Sequence, residues 1–252
     1  MPISIKEPTL PESSLAQQAS AAGAEQSARA AVLQTGSWFR SLPAWLRTWL
    51  VQNAQPRALQ PNERLFCRAD PPCGLYAVVH GAIRVTGVCA EGKEALLTLI
   101  EPPHWFGEIS LFDGLPRTHD AVADARSVVL HVPQAALLGM LGEQPQLWHE
   151  FGLLLAHKLR LAFVAMEEAA LLPAAARLAR RLLLIAADYG ERPHNQRRLI
   201  AVRQEQLAMM LSLSRQTTNQ ILRDLQQRGI ARLTRGEIEI LDFDKLRSAA
   251  AG

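Results

Sequence analysis

Two groups of residues in this chain have types and spacings that could do chemistry. The first is the run Phe106-Gly107-Glu108-Ile109-Ser110-Leu111-Phe112-Asp113-Gly114-Leu115-Pro116-Arg117-Thr118. Gly107 lets a backbone approach an anion closely, and a short helix starting there would turn N–H groups of Ile109 and Ser110 toward it. Glu108 can accept a hydrogen bond from a sugar hydroxyl. Arg117 can make a charge-assisted, bidentate contact to phosphate, and Thr118 adds a hydroxyl. The alternative is structural: Arg117 pairs with Asp113 or Asp120 and staples a turn.

The second group lies near the C-terminus. Leu207 and Met210 can face inward from a short helix over 203–210, and Leu211-Ser212-Leu213 makes a turn. Ser214 is a good N-cap for a second helix that stops at Gly229. Thr218, Ile221, Leu222 and Leu225 repeat at the helical period and form its buried face. Arg215, Gln216, Asn219, Gln220 and Arg223 then point outward. Arg can pair with guanine O6 and N7, and Gln with adenine N6 and N7. A β-hairpin follows, Ile230 to Leu233 and Ile238 to Leu241, with Arg235 at its tip within reach of phosphate. Helix, turn, capped helix and wing together point to DNA.

These groups need a scaffold. Residues 1–34 are rich in Ala, Gln, Ser and Glu and are expected to be a disordered or loosely helical tail. Trp38, Leu42, Trp45, Leu46 and Trp49 mark an amphipathic helix broken before Pro43. From Arg57 to Val132, short apolar stretches alternate with turn residues, which predicts an antiparallel, jelly-roll-like β-roll within a domain over 35–142. One long helix is expected over 143–172. Gly152, Ala156, Leu159, Phe163, Met166 and Ala170 step along it by fours and threes, a seam that could meet a second copy or the β domain. Pro173 ends this helix, and residues 173–252 form the winged helix-turn-helix domain. The fold class is therefore α+β.

Charge follows the same division. Residues 174–252 hold 14 Lys and Arg against 8 Asp and Glu; residues 1–173 hold 13 against 16. The basic excess sits where phosphate would be met. The longest apolar runs, such as Leu182 to Ala187, are far short of the ~20 residues of a membrane span. With only Lys6 near its start and no apolar h-region, the chain predicts no secretory signal and a cytoplasmic location. Cys67, Cys73 and Cys89 read as reduced thiols, one short of the four a cluster needs. His80, His104, His119 and His131 read as structural hydrogen-bonders, with haem left open. A cupin-type metal enzyme using His104, Glu108, His119 and His131 lacks the close His pair such a site wants, so neither a catalytic nor a metal site is expected.

The stretches Arg203-Gln204-Glu205-Gln206-Leu207-Ala208 and Leu213-Ser214-Arg215-Gln216-Thr217-Thr218-Asn219 resemble the helix-turn-helix of the bacterial Crp/Fnr superfamily, and the Phe106–Thr118 run resembles the phosphate-binding cassette of cyclic-nucleotide-binding domains. The resemblance covers roughly residues 38–245. It implies a transcription regulator that works as a homodimer on a pseudo-palindromic operator, with the long helix as interface and RNA polymerase as a further partner. By the same resemblance Arg215, Gln216 and Gln220 read bases, and Arg203, Ser214, Thr217, Asn219, Arg223 and Arg235 complete the DNA-binding set. Gln216 and Gln220 replace a Glu and an Arg of the archetype, so the operator is expected to differ. The effector implied is a cyclic nucleotide or cyclic dinucleotide, and an effector-independent regulator stays open. The archetype's two adenine-contacting hydroxyls fall on Ala162 and Phe163. Neither can replace those hydrogen bonds, although Phe163 offers a stacking face. Binding would change the packing of the long helices and rotate the winged domains about Pro173.

Overall fold

The computed structural model describes residues 12–88, 94–190, 198–234 and 236–251. Three helices come first: α1 (Glu12–Leu33), α2 (Ser37–Ser41) and α3 (Ala44–Asn53). The first lies in the expected tail and is helical. Its sequence has few large apolar residues but is rich in Ala, the strongest helix former, and its C-terminal end is anchored by Leu33, which is fully buried. Pro43 separates α2 from α3, as its position predicts.

The β-roll follows, with β1 (Gln55–Leu59), β2 (Arg64–Phe66), β3 (Gly74–His80), β4 (Ile83–Val88), β5 (Glu94–Ile100), β6 (Trp105–Phe106), the short helix α4 (Ile109–Asp113), β7 (Asp120–Ala123) and β8 (Ser127–Pro133). Two antiparallel four-stranded sheets, ordered β1-β8-β3-β6 and β2-β7-β4-β5, enclose a core of Leu59, Val78, Ile83, Ala121 and Val129. The antiparallel β-roll expected from the strand spacing is present. β1 and β6 were not legible as strands: β1 is mostly exposed, and β6 has two residues. The turn Glu91-Gly92-Lys93 and Cys89 lie outside the described residues.

The long helix begins later than predicted. α5 (Gln134–Glu143) stops, a 3-10 turn covers Pro145–Leu147, and α6 runs Trp148–Leu171. Pro145 has no N–H to donate and forces Gln144 out of the helical region, to φ −129°, ψ 67°. The N-terminal part of α6 buries Phe151 and Leu154 against Leu33, Phe39, Leu46, Trp105 and Leu141. This cluster ties α1–α3 and α6 to the first sheet.

Beyond Pro173 come α7 (Ala174–Ala186), a 3-10 turn over Asp188–Gly190, β9 (Leu199–Ile200), α8 (Gln204–Met210), α9 (Arg215–Gln227), β10 (Ala231–Thr234), β11 (Glu237–Ile240) and α10 (Phe243–Ala250). A three-stranded sheet, β10-β11-β9, packs with these helices around Leu178, Leu182, Leu207, Leu222, Ile230 and Ile238. Among the described residues, no helix is long and apolar enough to cross a membrane.

Candidate effector cavity and DNA-reading surface

A cavity of about 640 Å³ lies between β5, the segment from β6 through α4, and α6. Gly107, Glu108, Ile109, Ser110, Arg117 and Thr118 all line it, so the fold gathers the whole predicted cassette at one place. Gly107 has φ +97°, and a Cβ there would stand 2.9 Å from the Gly74 carbonyl oxygen and 3.0 Å from Arg117 Nη1. Only glycine fits this backbone and this approach.

Arg117 is 4% exposed. Its Nη1 donates to the Gly107 carbonyl at 2.8 Å and its Nη2 to the Gly74 carbonyl at 2.5 Å. The guanidinium carbon lies 4.5 Å from the centre of the Phe66 ring. Asp113 and Asp120 accept backbone N–H groups of Leu115 and Arg68 instead. Arg117 therefore does not staple the turn through a carboxylate. Its Nε is buried with no partner among the described residues. Nη2 also donates to the Cys73 sulfur at 3.0 Å. A buried cation held by carbonyl dipoles, a thiol and aromatic faces rather than by a carboxylate carries a desolvation cost that an anion would offset.

Glu108 is buried, and Lys158 of α6 donates to its Oε2 at 2.7 Å. Lys158 was missed from sequence, although the signal existed: it falls one turn after the inward Leu154, so it had to face the β-roll. His119 joins Thr118 through Nδ1 and Oγ1 at 2.9 Å, and burial, then the charge of Arg68, push its pKa down. Also missed was Tyr189, whose ring enters the cavity from the C-terminal domain. His104 and His157 face the Asp188 and Tyr189 carbonyls at 3.3 and 3.0 Å. Burial against β5 pushes the Tyr189 phenol pKa up. Among the described residues, no group of His, Cys, Asp and Glu has the arrangement of a metal site.

Phe163 is not brought to this cavity; Ala162 lines it instead. Successive residues of a helix face different directions, and Phe163 points away from the β-roll with 60% of its surface exposed. Leu159 at 52% and Met166 at 66% share that exposed stripe, as do Ala156 and Ala170, with Gly152 half-buried at its start. The predicted seam is thus not spent on the chain's own β domain.

In the C-terminal domain Ser214 Oγ accepts the Thr217 N–H at 3.0 Å, which caps α9. Thr218, Leu222 and Leu225 are buried, whereas Arg215, Gln216, Thr217, Gln220 and Arg223 are exposed and Asn219 is half-buried. Arg215 pairs with Glu205 of α8. Arg203 stands just before α8 and donates to Asp124 in the β-roll at 2.7 Å. β10 and β11 form the wing; Arg235 lies outside the described residues.

A β-roll that closes an anion-ready cavity against a long helix, joined to a winged helix-turn-helix, defines a sensor-and-reader regulator. The cyclic nucleotide-binding domain family matches residues 56–144, and the Crp-like helix-turn-helix domain family matches residues 176–249. The chain belongs to the Crp/Fnr family of transcription regulators. It is 27% identical over 202 residues to a CRP-like cAMP-activated global transcriptional regulator of Mycobacterium tuberculosis, covering 80% of this chain and 90% of that one. It is 29% identical over 198 residues to a cyclic AMP receptor protein of Thermus thermophilus, covering 79% and 89%. The structure of FixK2 from Bradyrhizobium japonicum shares the fold, with a TM-score of 0.70 and 21% identity over 79% of this chain and 98% of that one. The Mycobacterium tuberculosis relative is a transcriptional regulator rather than an enzyme.

Proposed function

We propose that this regulator is a homodimer that reads a two-fold operator in double-stranded DNA and responds to a phosphate-bearing effector, a cyclic nucleotide or cyclic dinucleotide, held in the β-roll. The observation that carries the effector reading is Arg117: a buried guanidinium with an unpartnered Nε, lining a cavity large enough for such a molecule. Arg117 and Thr118 would hold the phosphate, Ser110 and Gly107 flank it, and Glu108 would accept a sugar hydroxyl through the oxygen that Lys158 leaves free. The base would meet apolar Leu161 and Ala162. That wall lacks the hydroxyls of the archetype, so the base is held differently. One relative is a cAMP-activated regulator and another a cyclic AMP receptor protein, which supports this chemistry.

Lys158 and the seam lie on different faces of α6. A ligand that changes the Glu108–Lys158 contact therefore acts on the helix whose other face packs the partner copy. It can shift the equilibrium only by its difference in affinity between two arrangements. The outward residues of α9, with Arg215 first, enter the major groove, and the two-fold axis places successive grooves ~34 Å apart. Acting on chromosomal DNA, the dimer works in the cytoplasm and meets RNA polymerase there.

Thermal melting of the full chain with cyclic AMP, cyclic GMP and cyclic di-GMP tests the effector reading. One of them should raise the melting temperature in proportion to the logarithm of its concentration. No shift with any of the three would leave a regulator that binds DNA without this class of effector.

A further inference from the structure

The C-terminal domain does not hang free from α7. Its α8 packs on β5 of the β-roll, and one carboxylate gathers the contact. Asp124 Oδ1, at the end of β7, accepts Arg203 Nη2 at 2.7 Å and Gln206 Nε2 at 3.0 Å from the reader. Arg84 of β4 approaches the same oxygen at 3.4 Å. Asp124 has 15% of its side chain exposed and Gln206 is buried, while Arg203 keeps 55% of its side chain in solvent. Beside this junction a cleft of about 840 Å³ separates Ser214 and Arg215 from Gly87, Val88, Glu94 and Ala95 of the β4–β5 hairpin. The first turn of the recognition helix thus looks across a narrow gap at the sensor domain. One turn of duplex, ~34 Å along its axis, is far larger than this cleft.

We infer that this arrangement is a closed, DNA-excluding state latched by Asp124, and that Arg203 has two alternative partners, the Asp124 carboxylate when closed and a DNA phosphate when open. The inference rests on the DNA-binding reading above and adds what holds the reader back. Arg203 suits the exchange because a guanidinium pairs in the same way with carboxylate and with phosphate. Gln206 adds a second arm to the latch. Its Oε1 accepts the Arg203 N–H at 2.9 Å and caps α8, while its Nε2 reaches back to Asp124.

Gln206→Glu separates these two jobs. Glu at the third helical position keeps the cap but turns a carboxylate against Asp124. Fluorescence anisotropy of the full chain, ligand-free, with a mixed-sequence 40-bp duplex at low salt reads the effect. Gln206→Glu and Asp124→Asn should each tighten binding about fivefold, although the first adds negative charge to the reader and charge alone would weaken it. Arg203→Ala should cost more affinity in the Asp124→Asn background than in the unmodified chain, because there it removes only the phosphate contact. Binding no tighter than the unmodified chain in both latch variants, at unchanged circular dichroism, would overturn the latch. Should Asp124→Asn not fold, Gln206→Glu decides alone. If the unmodified chain and all variants fail to bind duplex, the DNA reading itself falls and the latch with it.

Discussion

Lys158 of the long helix holds Glu108 of the cassette at 2.7 Å, with 33% of the lysine side chain and 3% of the glutamate side chain exposed. The pair joins the residue best placed to accept a sugar hydroxyl to the helix whose other face carries the apolar seam. Lys158→Met should leave the Glu108 carboxylate buried without its cation. A partly exposed pair is screened by solvent, so the cost should be about 1–2 kcal/mol. Urea unfolding of the two chains measures it, and Glu108→Gln combined with Lys158→Met should recover part of the loss.

Arg117 is both a binding group and a structural one. Replacing it by Ala removes the anion contact and orphans the Gly107 and Gly74 carbonyls that it now satisfies. Arg117→Ala should therefore lower stability by about 1–3 kcal/mol, as well as abolish any ligand-induced rise in melting temperature. Arg117→Lys should spare more of the stability but not the ligand response, because an ammonium cannot reach two carbonyls and a phosphate at once. Melting curves with and without ligand separate the two effects.

The stripe Leu159, Phe163 and Met166 is more than half exposed in the single chain. A second copy across it would bury large apolar side chains, each contributing about 1.5–3 kcal/mol. Phe163→Glu should shift the chain from dimer to monomer in sedimentation equilibrium without unfolding it. A dimer of unchanged strength would move the interface elsewhere.

Two histidines set a pH dependence. Burial pushes the pKa of His131 down, opposed by its hydrogen bond to the Cys73 carbonyl, and burial does the same to His119. Both rings thus ionise below the ordinary value of 6.5 in the folded chain, whereas unfolding restores that value. Unfolding then takes up protons below about pH 6.5, so stability is full above that pH and falls on acidification. Urea midpoints at pH 7.5 and 5.5 should differ in that sense, and His131→Gln should flatten the difference.

Much of this architecture was legible in the sequence because local periodicity and burial agree there. Ser214, Thr218, Leu222 and Gly229 specify α9 by capping, spacing and exit, and the cassette residues converge as expected. The failures have physical causes. Residues 12–33 carry few large apolar side chains, so periodicity leaves disorder and helix both open; their alanines and the anchor at Leu33 favour the helix. Pro145 stands between Gln144 and Gln146 and breaks the chain there, so the long helix starts later than the expected residue 143. Phe163 lies on the exposed face of α6 while Ala162 lines the cavity of the same chain, because successive helical residues face different directions. Tyr189 and Asp124 could not be foreseen, since each matters through contact between domains distant in sequence.

Selection from a random-sequence duplex library with the full chain tests the central claim most directly. A two-fold reader predicts enrichment of an inverted repeat whose half-site centres lie about 10–10.5 bp apart, or a multiple of that, and whose affinity falls steeply with salt. Enrichment of a single unpaired half-site, or of no sequence at all, would contradict it.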